Sequence, residues 1–245
     1  LCDNTYFMFS NHKNFLEEYY ILDFHSYGLR KELLQALEQH GFDTPMEVQD
    51  CVLSEDWNHD LIVRAKTGSG KTLVAYLWAG ILSRDGSINY DYDKDISRII
   101  FTAPIKALSN ERYLDLRRMG FDVGLETGDF KRNEGAGIIC CTQEIYTMKY
   151  ASKPGQKLIV DEFHYIFNDS DRARTYIDGI RYTNPDTPIL VMSATLGSIK
   201  NVGKYLSEIC QRDFVMHASK TRITDLIFQP DNPVKVHNVH DALVF

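Results

Sequence analysis

Residues 65–72 read Ala65-Lys66-Thr67-Gly68-Ser69-Gly70-Lys71-Thr72 and lie between two apolar runs, 61–63 and 73–78. A short apolar run, a glycine-rich turn and a second apolar segment in this order are typical of a strand, a phosphate-binding loop and a helix. The stretch therefore predicts a site that holds the phosphates of a nucleotide.

The residue types in this loop suit that chemistry. Gly68 and Gly70 let the backbone turn its N–H groups toward a polyphosphate, because a Cβ would block the turn or the close approach. Lys71, where the helix begins, is a mobile cation for the outer phosphates, and the Thr72 hydroxyl is a ligand for Mg²⁺. Ala65 stands where the general pattern has Gly. The alternative interpretation is a flexible glycine turn before an amphipathic helix.

The composition indicates a soluble globular protein, since 44% of the 245 residues are hydrophobic and 25% are charged. This length suits one large domain, or one and a half. The net charge of −7 does not favour a nucleic-acid partner. It counts only weakly against one, because a binding groove needs a local basic patch and not a basic total.

Three features of the sequence indicate the cellular compartment of the protein. The five cysteines include no C-x-x-C pair and indicate reduced thiols. No apolar stretch approaches the ~20 residues of a membrane span, and the N-terminus lacks the layout of a signal peptide. We therefore expect the cytoplasm or the nucleus, and no membrane partner. Because the chain begins at Leu1 and ends in an apolar run at 241–245, we also expect a fragment of a longer protein.

The N-terminal part divides into three segments. Residues 1–28 are an aromatic-rich extension that we expect to pack on the domain, since solvated tails are usually poor in aromatic residues. Residues 29–40 have helical spacing, and Gly41 caps the predicted helix. Thr44 and Pro45 open a second short helix.

Short apolar runs recur after the phosphate loop, at 98–102, 137–141, 157–160 and 189–192. Because these runs are continuous and alternate with helical patterns, they predict an α/β fold with a mostly parallel sheet covered by helices on both faces. Such sheets place their sites at the carboxyl ends of the strands. The polar stretch 83–97 is expected to be a surface loop.

Two polar stretches follow the third and fourth of these runs. Asp161 can hold Mg²⁺, and Glu162 can orient and deprotonate an attacking water. Without a phosphate loop upstream, the pair would be read as solvated acids at the end of a strand. The hydroxyl residues Ser193 and Thr195 fit a polar link between the acidic site and neighbouring surfaces, or simply a turn.

Together these stretches resemble motifs I, II and III of superfamily 2 helicases of the DExH-box branch, in which Ala is common at the position of Ala65. The acidic motif is Asp161-Glu162-Phe163-His164, and motif III is Ser193-Ala194-Thr195. Three further stretches resemble the Ski (superkiller) type: Thr102-Ala103-Pro104-Ile105-Lys106-Ala107-Leu108-Ser109-Asn110-Glu111-Arg112 (motif Ia), Thr127-Gly128-Asp129 (motif Ib) and residues 160–166. The resemblance covers residues 30–210.

The resemblance implies a RecA-like P-loop NTPase lobe at 29–212 that uses ATP and Mg²⁺, followed at 213–245 by an exit toward a missing second RecA-like lobe. It implies that Gln49 reads the adenine edge and that Phe42 stacks nearby, although Gln49 alone would be read as a surface helix residue. Lys71, Asp161 and Glu162 would be catalytic, with Thr72 and Asp161 holding the metal. His164, Ser193 and Thr195 would couple the two lobes.

Motifs Ia and Ib resemble surfaces that grip the sugar-phosphate backbone of a single strand. Cations, neutral donors and a glycine that admits close approach suit backbone contacts, which carry no base information. The implied contacts are Pro104, Lys106, Ser109, Asn110, Arg112, Thr127, Gly128 and Thr142. Each could instead be a helix cap or a solvated residue. The stretch Asp169-Ser170-Asp171-Arg172 resembles the Asp-x-x-Arg-Gly stretch of the Ski type, with Ala173 for Gly; it could equally be a polar loop.

Three functions are compared. The first is the N-terminal motor lobe of an ATP-dependent helicase or translocase, with RNA slightly favoured over DNA as its track. The second is a stand-alone module that binds nucleotide or nucleic acid without a motor cycle. A P-loop kinase or GTPase fits poorly, because neither needs the acidic motif followed by Ser-Ala-Thr.

Overall fold

The computed structural model describes residues 23–29, 31–53, 59–81, 98–167 and 170–219. Eight strands in this part of the chain form one sheet: β1 (Asp60–Arg64), β2 (Arg98–Ala103), β3 (Val123–Thr127), β4 (Phe130–Arg132), β5 (Ile138–Thr142), β6 (Gln156–Val160), β7 (Ile189–Ser193) and β8 (Phe214–Ala218). Their order across the sheet is β4-β3-β5-β2-β6-β7-β1-β8. All neighbours are parallel except β3 and β4.

Helices cover both faces of this sheet. They are α1 (Lys31–Gln39), α2 (Glu47–Leu53), α3 (Lys71–Ala79), α4 (Lys106–Arg118), α5 (Gln143–Lys149), α6 (Ser170–Arg181) and α7 (Ile199–Cys210), with 3-10 helices at Phe24–Tyr27 and Phe163–Phe167. Side chains alternate along each strand. In β1, Leu61 and Val63 therefore pack with α1 to α4, while Ile62 packs with α5 to α7. The predicted α/β fold with helices on both faces is confirmed.

Most of the predicted elements are present. The five apolar runs form β1, β2, β5, β6 and β7, and the helix predicted at 29–40 is α1. Gly41 follows α1 with φ +74°, a left-handed conformation that glycine adopts without strain. Phe24, near the end of the predicted extension, is buried in the core. Residues 1–22, the polar stretch 83–97 and residues 220–245 lie outside the described residues.

Three strands were not predicted from the sequence: β3, β4 and β8. The segment Val123–Thr127 contains Gly124 and Glu126, which break its apolar run, yet it is a fully buried strand. Glu126 is tolerated there because Lys149 Nζ lies 2.6 Å from its carboxylate and the Tyr150 hydroxyl contacts it. The exit segment expected to begin at 213 contains β8, which pairs with β1, so the lobe continues past the expected boundary at 212.

The strand order determines which motifs lie next to each other along the carboxyl edge of the sheet. β7 lies between β6 and β1, so Ser193 stands between the acidic pair and the phosphate loop. The residues implied as strand contacts follow β2, β3 and β5, which are neighbours in the other half of the sheet. The edge therefore has a nucleotide half and an adjoining half formed by motifs Ia and Ib.

Gly124 permits the close return of the chain from β4. A Cβ at this position would lie 2.3 Å from the backbone oxygen of Asn133. We expect Gly124→Ala to cost about 1–3 kcal/mol of stability by overpacking and to lower Tm by about 2–10 °C. Gly135→Ala is the control, because a Cβ at Gly135 has no atom of the described residues within 4 Å. Equal melting temperatures for the two variants would contradict this packing.

Candidate nucleotide cleft and strand-binding surface

The phosphate loop joins β1 to α3 and turns through two left-handed glycines, Gly68 at φ +76° and Gly70 at φ +83°. Ala65, at the start of the loop, is fully buried, and its N–H donates to the Ser193 carbonyl at 3.1 Å. Lys71 Nζ donates to the carbonyls of Ala65 at 2.6 Å and Lys66 at 3.0 Å. A bound polyphosphate would offer this ammonium charged acceptors, which form stronger hydrogen bonds than carbonyl groups do.

Gln49 lies against the phosphate loop. It is only 3% exposed, so the alternative reading as a surface residue is wrong. Its Oε1 accepts from the Met46 N–H at 2.8 Å, and its Nε2 donates to the Gly70 carbonyl at 3.2 Å. Phe42 is half-buried against the core formed with α1 to α4. The adenine contacts of Gln49 and Phe42 stay predictions.

A Cβ at Gly70 would lie 2.4 Å from Gln49 Nε2, whereas a Cβ at Gly68 would meet no atom of the described residues within 4 Å. Alanine at either position incurs the strain of a positive φ, about 1–2 kcal/mol. Only Gly70→Ala also displaces Gln49 and breaks its hydrogen bond, which costs about 1 kcal/mol more. We therefore expect Gly70→Ala to melt about 2–4 °C below Gly68→Ala in thermal unfolding. If Gly68→Ala melts at or below Gly70→Ala, the contact is not significant.

The acidic pair directly follows β6. Asp161 Oδ1 accepts from the Glu162 N–H at 2.9 Å. Glu162 has φ +49°, a conformation that costs a non-glycine residue free energy and is found mostly at functional sites. Burial raises the pKa of Glu162, and the Asp161 carboxylate raises it further, while His164 and Lys71 lower it. A carboxylate with a raised pKa is a better proton acceptor near neutral pH than an ordinary surface acid.

A polar chain connects the acidic pair to the phosphate loop. His164 Nδ1 lies 3.2 Å from Glu162 Oε2 and 3.2 Å from Ser193 Oγ. The carbonyl of Ser193 in turn holds the N–H of Ala65. Thr195 is exposed and lies outside this chain of contacts. The structure thus brings His164 and Ser193 together between the two motifs, as the proposed link requires, but not Thr195.

The phosphate loop and the acidic pair line one cleft of about 310 Å³, a volume at the lower end of the range for ligand sites. Its lining residues are Thr67, Gly68, Gly70, Lys71, Thr72, Leu108, Glu111, Arg112, Asp161 and Glu162. The sequence-based set for this site did not include the three residues from α4. Their spacing, 108, 111 and 112, places them on one helical face, a pattern that could have identified them.

The position of Arg112 corrects its predicted role. It was assigned to the nucleic-acid surface, but its Nη2 lies 3.3 Å from Asp161 Oδ2 and its Nη1 donates to the Tyr76 hydroxyl at 3.3 Å. The guanidinium also lies 6.0 Å from the ring centroids of Tyr76 and Phe101. Arg112 therefore belongs to the nucleotide cleft.

A second concavity lies at the other half of the same edge. Four of the implied strand contacts line it: Pro104, Lys106, Gly128 and Thr142. Arg172 also lines it and donates to the Pro104 carbonyl at 3.2 Å. Lys106 forms an ion pair with Asp129.

The other implied strand contacts are placed differently. Ser109 is buried, and its hydroxyl donates to the Ile105 carbonyl at 3.4 Å, so it is not presented to a strand. Thr127 is also buried, with its hydroxyl directed to the Phe130 carbonyl at 3.5 Å. Asn110 is exposed on α4 outside the concavity. Four of the eight implied contacts therefore line the concavity, and their contact with a strand stays a prediction.

Comparison with known proteins agrees with this geometry. A profile of the DEAD/DEAH box helicase family matches residues 46–202. Superkiller complex protein 2 of Homo sapiens is 29% identical over 193 residues, which are 77% of this chain and 15% of the relative. Exosome RNA helicase MTR4 of Homo sapiens is 27% identical over 186 residues, 74% of this chain and 17% of the relative. The chain thus spans about one sixth of the length of these relatives.

Solved structures share the fold. The structure of S. cerevisiae Dbp5 bound to RNA and ADP BeF3 has a TM-score of 0.60 and 21% identity, covering 79% of this chain and 51% of that one. A DEAD box protein from Methanococcus jannaschii has a TM-score of 0.59 and 18% identity, covering 81% of this chain and 56% of that one. The RecA-like lobe is therefore confirmed. No helix within the described residues has the length and apolar character to cross a bilayer.

Proposed function

We propose, since this chain belongs to the DEAD/DEAH box helicase family, that it is the N-terminal ATP-binding lobe of an ATP-dependent helicase or translocase of the Ski-like type. The proposal rests on one arrangement: the phosphate-loop cleft and the concavity of motifs Ia and Ib adjoin along a single sheet edge. A motor needs its ATP site and its nucleic-acid site next to each other, so that closure of the lobes around ATP changes the binding of the strand, which is called the track below.

In this proposal the loop backbone and Lys71 bind the phosphates of ATP, and Gln49 contacts the adenine base. Thr72 and Asp161 line the same cleft and offer hard oxygen ligands of the kind that Mg²⁺ prefers. Among the described residues no three His, Cys, Asp or Glu side chains form a metal cluster. Two protein ligands completed by phosphate oxygens are the usual Mg²⁺ site in nucleotide enzymes. When bound, the ion would neutralise phosphate charge.

Glu162 accepts the proton of the attacking water, and its raised pKa and half-buried position suit that role. His164 and Ser193 transmit the state of this carboxylate toward the surface that faces the second lobe. Thr195, exposed beyond Ser193, would contact that lobe directly. These couplings join hydrolysis to the opening and closing of two lobes.

A single strand of nucleic acid is the proposed track, held by its backbone in the concavity beside Lys106, Gly128 and Thr142. Backbone contacts carry no sequence information, so we expect little sequence preference. We place RNA ahead of DNA, because the relatives include proteins named as RNA helicases.

The free thiols of Cys140, Cys141 and Cys210 accord with the cytoplasm or the nucleus.

The second RecA-like lobe is proposed to lie elsewhere in the same full-length protein. In related NTPases an arginine supplied from outside the phosphate-loop site raises turnover by about 10³–10⁵. The test is therefore to measure ATP binding and hydrolysis by the 245-residue chain alone. We expect weak binding and barely detectable hydrolysis. Robust strand-stimulated turnover by this chain would show that no second lobe is needed.

A further inference from the structure

The outer edge of the sheet, beyond motif Ib, presents an exposed aromatic residue. All three residues of β4 are exposed, and Phe130 has 46% of its surface accessible. β4 pairs with β3 through Thr127 and Phe130 at the carboxyl edge. Only Gly128 and Asp129 separate these two residues, and Gly128 lines the proposed track. Phe130 therefore follows the track residue Gly128 by two positions, at the same edge of the sheet.

The β3–β4 ribbon is held in place by several contacts. Gly124 allows the ribbon to approach closely, as described above. The side-chain amide of Asn133, the residue after β4, donates to Asp122 Oδ1 at 2.7 Å and to the Val123 carbonyl at 3.4 Å. A ring on a fixed ribbon can bind a flat partner with little loss of conformational entropy.

Two arginines in this region share one neutral partner, the Tyr113 hydroxyl. Arg132 lies 5.4 Å from the Phe130 ring centroid, and its Nη1 donates to the Tyr113 hydroxyl at 3.4 Å. Arg117 Nη1 donates to the same hydroxyl at 3.1 Å. Among the described residues neither arginine forms an ion pair with an acid, whereas their neighbours Arg118 and Lys131 both do. Two cations that share one neutral acceptor can bind an anion with charge-assisted hydrogen bonds.

We propose that Phe130, Arg132 and Arg117 form a nucleotide subsite for a single strand that passes the outer edge of the track. The Phe130 ring stacks on one unpaired base, and the two guanidinium groups hold an adjoining phosphate. An exposed aromatic face with nearby cations is the combination that binds single strands without base specificity. This inference rests on the proposed function, because it extends the track of that motor lobe.

The test uses fluorescence anisotropy of the 245-residue chain with labelled oligouridylate and oligothymidylate of about 16 nucleotides. We expect Phe130→Ala to weaken binding about tenfold, as loss of one stacked base usually does. Phe130→Trp should retain affinity, and its indole fluorescence should be quenched by the oligonucleotide after subtraction of the wild-type signal. Arg132→Gln should reduce the slope of log K against log salt by about 0.7, the value for one phosphate of a single strand.

Tyr182 provides a matched control. It is 58% exposed and has Arg181 at 5.9 Å from its ring centroid, so it is likewise an exposed aromatic ring beside an arginine. It lies between α6 and the start of β7, at the amino edge of the sheet and away from the track. Tyr182→Ala should bind as the wild type does, and Tyr182→Trp should show no quenching.

The outcomes separate this subsite from the function on which it rests. Lys106→Gln, in the track itself, should weaken binding. If Lys106→Gln weakens binding while Phe130→Ala binds as the wild type does, the subsite is refuted and the track stands. Equal quenching of the two tryptophan variants also refutes the subsite. If the wild-type chain binds neither oligonucleotide, both the track and the subsite are refuted.

Discussion

Glu162→Gln is expected to lower strand-stimulated ATP turnover of the product of the complete reading frame by at least about hundredfold, the usual contribution of a general base. The amide keeps the size of the side chain but cannot accept the proton of the attacking water. Because the phosphate loop is untouched, the affinity for ATP should stay within about threefold, equivalent to less than 1 kcal/mol. Turnover and fluorescent-nucleotide binding are measured on the same preparation.

The control for this variant is Glu208→Gln on α7. Glu208 forms an exposed pair with Lys204 at 3.9 Å, and such surface pairs contribute little. The Glu208→Gln variant should therefore hydrolyse ATP at the wild-type rate. The role of Glu162 as base would be contradicted if Glu162→Gln retained most of the turnover. A parallel loss of nucleotide affinity would instead indicate damage to the whole cleft, for example through relaxation of the strained backbone at φ +49°.

Lys71→Ala should weaken ATP binding by about ten- to hundredfold, because a hydrogen bond to a charged group contributes about 1.5–3 kcal/mol. The ammonium is already aimed into the loop by the carbonyls of Ala65 and Lys66. Removing it takes away this cation, while the backbone N–H groups of the loop remain. Direct titration of the 245-residue chain with a fluorescent ATP analogue measures the effect without requiring hydrolysis.

Lys204→Ala is the control for Lys71→Ala, since it removes the same charge from an exposed site. The two variants should differ only in nucleotide affinity and not in thermal stability by more than about 1 kcal/mol. Unchanged affinity in Lys71→Ala would mean that the loop does not hold phosphates, and the assignment of the cleft would fail.

Most residues that line the cleft were predictable from the sequence, because they belong to short stretches of consecutive residues. The phosphate loop, Asp161 and Glu162 were identified from stretches that follow apolar runs, and the parallel sheet followed from those same runs. The path from Glu162 through His164 to Ser193 depends on β7 lying between β6 and β1. That order is a tertiary property, so the sequence could only suggest that these residues act together.

The differences from the sequence-based prediction have physical causes. Arg112 is the last residue of motif Ia, but its side chain on α4 lies near Phe101 and pairs with Asp161. Glu126 interrupts the apolar pattern of β3, so the sequence does not show that this strand is buried. Its burial is possible because Lys149 and Tyr150, from another element, contact its carboxylate. β4 is too short and too exposed to show a strand pattern. Each case depends on contacts between segments that are distant in the sequence.

We propose that this lobe belongs to a motor driven by ATP and engaged with a single strand. The most direct test is ATP hydrolysis by the product of the complete reading frame, measured with and without single-stranded RNA and DNA. We expect one polymer, RNA before DNA, to raise the turnover well above the rate without polymer. An equally low rate without polymer, with RNA and with DNA would contradict this expectation and would favour a stand-alone binding module.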